Sequence, residues 1–229
     1  PVISINSTVS GEGKSFCSVN IAALMASSNQ KTLLIDVDLR KPKAHLAFDQ
    51  PNIIGLSSIL IGDTTVDEVL FETHIKNLYF IPAGKIPVNP AELIESERME
   101  LLMQQLKTQF DCIVLDTPPV AHVADAILLS KYTNLNVFVI RQKYSSKNVL
   151  PVIQELIDNK RMKKMGAIIN DVNPSVIFGL KYGYGFGYGY SYGYGYGDGQ
   201  GYYEIPEKKQ NLFNKIGHKF YHFLKNIFS

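Results

Sequence analysis

Six short apolar runs recur along residues 1–178 with almost no polar alternation: Val2–Asn6, Thr32–Val37, Leu78–Pro82, Cys112–Asp116, Asn136–Arg141 and Ala167–Val172. A strand with one wet face alternates polar and apolar residues, whereas a strand covered on both faces reads as a continuous apolar run. Stretches with helical spacing lie between these runs, at Lys14–Ser28, Ala91–Gln109, Ala121–Tyr132 and Lys147–Asn159. Strands alternating with helices imply parallel βαβ units, hence an α/β fold with a doubly wound, mainly parallel sheet and helices on both faces. Ligands of such sheets bind beyond the carboxyl ends of the strands, so those ends are where chemistry is expected.

Composition divides the rest of the 229 residues. Residues 1–178 read as one domain, 179–203 are almost only Gly and Tyr, and 204–229 are Lys-rich and aromatic with helical spacing. The formal net charge of +2 gives no broad field for nucleic acid. Cys17 and Cys112 sit in apolar stretches without metal-ligand spacing, which points to two small buried side chains in a reducing compartment. No run reaches the roughly 18–20 apolar residues that span a bilayer. The chain opens inside its first strand, which reads as the start of a fragment.

The first strand is followed by Ser7-Thr8-Val9-Ser10-Gly11-Glu12-Gly13-Lys14-Ser15, and a helical pattern begins at once with Phe16. Strand, glycine-bearing loop, Lys-Ser, helix is the context of a P-loop that cradles phosphates. Gly11 and Gly13 permit the tight turn that aims N–H groups at phosphate oxygens, and the helix N-terminus adds partial positive charge. Ser10, Gly11, Glu12, Gly13, Lys14, Ser15 and Phe16 are therefore the expected nucleotide-binding set. Lys14 reaches the β- and γ-phosphates of ATP, and Ser15 ligates Mg²⁺. The general pattern has Gly where Thr8 stands.

Two strands end abruptly in carboxylate: Leu33-Leu34-Ile35-Asp36-Val37-Asp38 and Cys112-Ile113-Val114-Leu115-Asp116. A buried carboxylate without a partner costs several kcal/mol, so a metal or cationic side chain is expected there. Asp116 has the spacing of a Walker B residue that holds Mg²⁺. Asp36 is assigned as the base or water-positioning group near the γ-phosphate, and Asp38 as a support for Mg²⁺ or an adjacent basic residue, with the reverse assignment open. Arg40 and Lys41 are free to pair with Asp38, touch phosphate or meet a neighbouring subunit.

Four segments resemble the bacterial tyrosine kinases that accompany capsule and exopolysaccharide co-polymerases: SGEGKS at 10–15, LLIDVDLRKP at 33–42, PAGKIPVNPAELIES at 82–96 and CIVLDTPPV at 112–120. The similarity runs from residue 2 to about 173. Related ATPases that partition DNA or place the division site carry Lys where Val9 stands, which favours the kinases over an ATPase switch that controls assembly without tyrosine phosphorylation. The resemblance implies a P-loop NTPase fold, ATP and Mg²⁺ as cofactors, and tail tyrosines of a neighbouring subunit as acceptors. It implies Asn170 on the adenine edge. It also implies an upstream or separate transmembrane polysaccharide co-polymerase, a homo-oligomeric ring, a phosphotyrosine phosphatase, and work at the cytoplasmic face of the bacterial inner membrane. The family's ring-contact helix would precede the first residue of this chain.

The candidate acceptors are Tyr182, Tyr184, Tyr188, Tyr190, Tyr192, Tyr194, Tyr196, Tyr202 and Tyr203, nine of 13 tyrosines in the chain. Their Gly spacing offers no apolar periodicity to offset the entropy of ordering, so a mobile segment able to enter an active site is expected. Beyond Pro206, Leu212, Ile216, Phe220, Phe223, Leu224 and Ile227 share a helical face among lysines. Residues 207–229 therefore suit a membrane surface or a partner groove, or a helix folded onto the domain.

Overall fold

The computed structural model describes residues 1–120, 125–159, 161–162 and 164–173. The elements run β1 (Val2–Ser7), α1 (Lys14–Ser27), β2 (Thr32–Asp36), a 3-10 turn (Ala44–Phe48), α2 (Leu56–Ile61), α3 (Val66–Val69), β3 (Phe71–Glu72) and β4 (Leu78–Ile81). They continue with α4 (Pro90–Glu95), α5 (Glu97–Gln109), β5 (Cys112–Asp116), α6 (Asp125–Leu129) with a 3-10 turn (Ser130–Tyr132), β6 (Leu135–Arg141), α7 (Val149–Asp158) and β7 (Met165–Asn170). The seven strands form one sheet in the order β3-β4-β2-β5-β1-β6-β7. Every neighbouring pair is parallel except β3 with β4. This is the doubly wound, mainly parallel arrangement that the apolar runs predict.

The central strands divide their side chains between two cores. Val2, Leu33, Ile35, Ile113 and Leu115 join the helices α2, α4 and α5 on one face. Ile3, Ile5, Leu34, Cys112 and Val114 pack against α1 and the 44–48 turn on the other. Successive side chains on a strand point to opposite faces, so an unbroken apolar run is what two covered faces require. Asp36 and Asp116 are register partners at the ends of β2 and β5. Their parity with Leu34 and Val114 places both on the face of α1, whose first residue is Lys14.

Several local expectations differ from the structure. The helix expected over 91–109 is two helices, because Ser96 is extended and uses its Oγ to accept the Met99 N–H at 3.3 Å. Ser96 thus caps α5. The final strand is Met165–Asn170, two residues earlier than expected, and it is not buried on both faces: Ile169 is 62% exposed. It is an edge strand bonded only to β6 within the sheet. The elements α2, α3 and β3 carry too few residues for a periodic pattern to form. No described helix is long and apolar enough to cross a membrane. The expected boundary at 178, the Gly-Tyr segment with its nine candidate acceptors and the 204–229 helix lie outside the described residues.

Candidate nucleotide site

The loop between β1 and α1 takes its shape from inside. The Glu12 carboxylate is fully buried and accepts the N–H groups of Thr8 (2.7 Å) and Val9 (3.1 Å), the Thr8 hydroxyl (3.1 Å) and the Ser145 hydroxyl. Its side chain is thus taken up by the loop and by Ser145, and only its backbone is left to face a ligand, unlike the expectation that placed Glu12 simply among nucleotide contacts. Thr8 is explained by the same geometry. It is not among the residues with positive φ, so the position needs no Gly, and its hydroxyl serves the Glu12 carboxylate.

Gly11 and Gly13 have φ of +89° and +92°, a region that L side chains rarely adopt. A Cβ on Gly11 would lie 2.5 Å from the Tyr144 hydroxyl, and one on Gly13 would lie 2.0 Å from the Asn170 amide nitrogen. Both glycines are needed for close approach as well as for the turn. The neighbours involved form an outer clasp. Tyr144 donates its hydroxyl to the Ser10 carbonyl (2.9 Å), Arg141 donates Nη1 to the Gly11 carbonyl (3.0 Å), and Asn170 donates Nδ2 to the Glu12 carbonyl (3.0 Å). Asn170 therefore braces the phosphate loop from the end of β7. Ser10 and Phe16 are exposed and Ser15 is half-buried at the start of α1.

Lys14 lies across the strand ends. Its Nζ is 2.6 Å from Asp116 Oδ1, and Ser18, one turn along α1, donates its hydroxyl to the same oxygen at 3.0 Å. Asp116 is fully buried, and its Oδ2 has no hydrogen-bond partner among the described residues. A buried carboxylate oxygen left open is a site for a cation or its bound water. No cluster of three or more His, Cys, Asp or Glu among the described residues makes a ready metal cage. Mg²⁺ is held by one or two carboxylates and completed by substrate phosphates, and the open Asp116 Oδ2 offers one such carboxylate oxygen. The residues present thus fit the metal that the P-loop implies.

The opposite strand end is held differently. Asp36 Oδ1 accepts the Asp38 N–H (3.1 Å) and Oδ2 the Ala44 N–H (3.0 Å). Burial pushes the Asp36 carboxyl up to about 8, and the nearby Asp116 charge adds to the rise; Lys14 and the Ala44 amide pull the other way. Asp38 Oδ1 accepts the Arg40 and Lys41 N–H groups at 3.3 and 3.0 Å, so it organises the turn after β2 through backbone. Arg40 does not pair with Asp38. Its guanidinium forks onto Asp125, Nε to Oδ2 at 2.8 Å and Nη2 to Oδ1 at 3.3 Å, and that bond raises its pKa further. Burial pushes the Cys17 thiol up to about 11 and the Cys112 thiol up to about 12. Both are free and buried, as two small core side chains should be.

Ser18, Asp125, Arg141, Tyr144 and Ser145 were not among the expected site residues. Arg141 closes an apolar run as Asp36 and Asp116 do, and that shared position at a strand end is the signal that marks it.

The AAA domain family matches residues 1–167. The chain is 36% identical over 168 residues to the tyrosine-protein kinase YwqD of Bacillus subtilis (strain 168), covering 73% of this chain and 71% of that protein. It is 35% identical over 174 residues to the tyrosine-protein kinase ptk of Acinetobacter johnsonii, covering 76% of this chain and 24% of that protein. It therefore spans about a quarter of the length of this second, longer relative. Among solved structures, the kinase domain of the Escherichia coli tyrosine kinase ETK superposes with a TM-score of 0.72 at 29% identity, over 82% of this chain and 72% of that one. The septum site-determining protein MinD of Pyrococcus horikoshii, solved with Mg-ADP, superposes with a TM-score of 0.61 at 20% identity over 78% and 76% of the two chains. At that identity the likeness shows the fold alone.

Proposed function

The chain belongs to the bacterial tyrosine-protein kinases within the AAA domain family, and from that premise we propose that it transfers the γ-phosphate of ATP to tyrosines of its own Gly-Tyr segment, Tyr182–Tyr203. The observation that carries this reading is the convergence of Lys14, Asp36 and Asp116 on one sheet edge, with Asp116 Oδ2 left open beside the 2.6 Å ion pair.

Loop N–H groups from Gly11 to Ser15 receive the phosphates, and Lys14 exchanges its carboxylate partner for β- and γ-phosphate oxygens. Ser15 and Asp116 would hold Mg²⁺, with Asp38 supporting its surroundings through the turn it organises. Mg²⁺, when bound, neutralises charge on the phosphate oxygens. Asp36 takes the proton of the incoming phenol; a carboxyl raised to about 8 is suited to exchange protons near neutral pH. The bond from the tyrosine oxygen to the γ-phosphorus forms as the β,γ-bridging P–O bond breaks, and ADP departs. Asn170 serves the nucleotide by bracing the loop, with its remaining amide oxygen available to the adenine edge.

On the same reading the protein works beside an upstream or separate membrane-spanning polysaccharide co-polymerase at the cytoplasmic face of the inner membrane. There it acts within a ring of like chains and is opposed by a phosphotyrosine phosphatase.

Incubating the full chain with Mg·ATP and mapping phosphate by mass spectrometry tests the reading. Phosphate is expected on several tyrosines between 182 and 203. A chain lacking residues 182–203 is expected to keep its ATP affinity. Full-length protein that binds ATP yet gains no phosphotyrosine would refute the kinase assignment.

A further inference from the structure

We propose that Tyr144 is itself a phosphorylation site, modified by a second copy of this chain, and that its phosphorylation opens the clasp on the phosphate loop and weakens nucleotide binding. The inference rests on the kinase reading above and adds a target that turns the enzyme down.

Of the three tyrosines in the described residues, Tyr132 is buried and Tyr79 is half-buried, while Tyr144 is 52% exposed. It sits on the loop between β6 and α7, where Lys143 before it and Ser146, Lys147 and Asn148 after it are also exposed. Its hydroxyl nevertheless has one defined task, donating to the Ser10 carbonyl at 2.9 Å. A phosphate ester carries no hydrogen on that oxygen, so the bond to Ser10 cannot survive modification. The hydroxyl lies close against Gly11, where an added Cβ would stand 2.5 Å from it, so the phosphate is added directly beside the phosphate loop.

Arg141 makes the effect larger than one hydrogen bond. Its guanidinium lies 5.1 Å from the centre of the Tyr144 ring and donates to the Gly11 carbonyl at 3.0 Å. A phosphate brings roughly −1.5 to −2 charges and three strong acceptor oxygens, and Arg is the side chain that binds such a group as a fork. Arg141 Nε also meets the exposed Asp171 carboxylate at 3.1 Å, but a phosphate of nearly two charges is the stronger partner, so the modified Tyr144 draws Arg141 off Gly11. Two of the three outer bonds on the loop are lost together, and the new negative charge lies beside the loop that must receive a triphosphate.

Transfer occurs between copies, because a hydroxyl bonded to the outer carbonyl of its own loop is not at the γ-phosphate held by that loop. The P–O bond to Tyr144 Oη forms, the β,γ-bridging bond of the second copy's ATP breaks, and the phenolic proton passes to that copy's Asp36.

The test uses a full chain whose nine tyrosines in 182–203 are replaced by Phe. After incubation with Mg·ATP, mass spectrometry is expected to find phosphate on Tyr144, with an initial rate per molecule that falls on dilution. Affinity for a fluorescent ADP analogue is expected to drop about tenfold, as loss of two modest hydrogen bonds allows. A tyrosine phosphatase should restore it, and adding Tyr144→Phe should abolish the response. Phosphate on the tail of the unsubstituted chain with none on Tyr144 would overturn this inference and leave the kinase reading standing. No phosphotyrosine on either protein would overturn both. Phosphorylated Tyr144 with unchanged ADP affinity, or a rate independent of dilution, would overturn the inhibitory or the intermolecular part respectively.

Discussion

The ends of β2 and β5 look alike in sequence, each an apolar run closed by Asp, yet the two carboxylates are held by different means. Asp116 meets a cation: Lys14 at 2.6 Å and the Ser18 hydroxyl share one oxygen, and the other oxygen stays open. Asp36 meets only backbone amides from Asp38 and Ala44, and its carboxyl is pushed up to about 8. The two are register partners on adjacent strands, and the Asp116 charge adds to the burial that raises Asp36. The lesson is that a strand-end carboxylate takes its chemistry from what the neighbouring helix and turn place against it.

The largest effect that would break this contrast is expected from Lys14→Met. It leaves Asp116 buried without its cation, which costs about 3–5 kcal/mol in the nucleotide-free protein. Denaturant melts of apo protein read that loss. Phosphotransfer should also fall by at least about a hundredfold, the scale for losing a charge-stabilising group. A variant as stable as wild type would show that the ion pair is not what holds Asp116.

Asp36→Asn comes next. As a general base its loss should lower transfer by about 10²–10⁴-fold, with ADP affinity little changed. Its titration has a definite sign. A carboxyl with a raised folded pKa contributes stability that is fully present below the unfolded value of 3.8 and fades as pH rises through about 8. Wild-type melting temperature should therefore decline across that window more than that of Asp36→Asn. Equal declines would show that Asp36 ionises in the folded protein as it does in the unfolded chain.

The smallest effect sharpens the contrast. Ser18→Ala removes one hydrogen bond to Asp116 and should cost about 0.5–1.5 kcal/mol, with transfer reduced far less than by Lys14→Met. Chemical denaturation and phosphate incorporation measured on the same variant separate the two.

Much of this site was legible in residue order. The apolar runs announce strands covered on both faces, and Gly11, Gly13, Lys14, Asp36 and Asp116 stand where chemistry should lie. The break at Ser96 was hidden because the apolar spacing continues through it, and only the capping bond shows that α5 starts anew. Arg141 carried a signal in its place at the end of an apolar run, but Tyr144 and Ser145 were hidden for a different reason. Their partners in the phosphate loop lie 134 and 133 residues away, and no local pattern encodes a contact of that separation. The inward turn of Glu12 was equally invisible, since a carboxylate satisfied by Thr8, Val9 and the distant Ser145 reads like any acidic residue near a phosphate site.

The clasp also joins the loop to the chain's own continuation. Asn170, which braces Glu12, is three residues before Asn173, whose N–H is fixed to the Gln142 side chain beside Arg141. Asn173 is thus tied to the strand pair that grips the phosphate loop. A shift of that corner would be felt first at Asn170 and Arg141, so the rim of the sheet and the phosphate loop move as one lever.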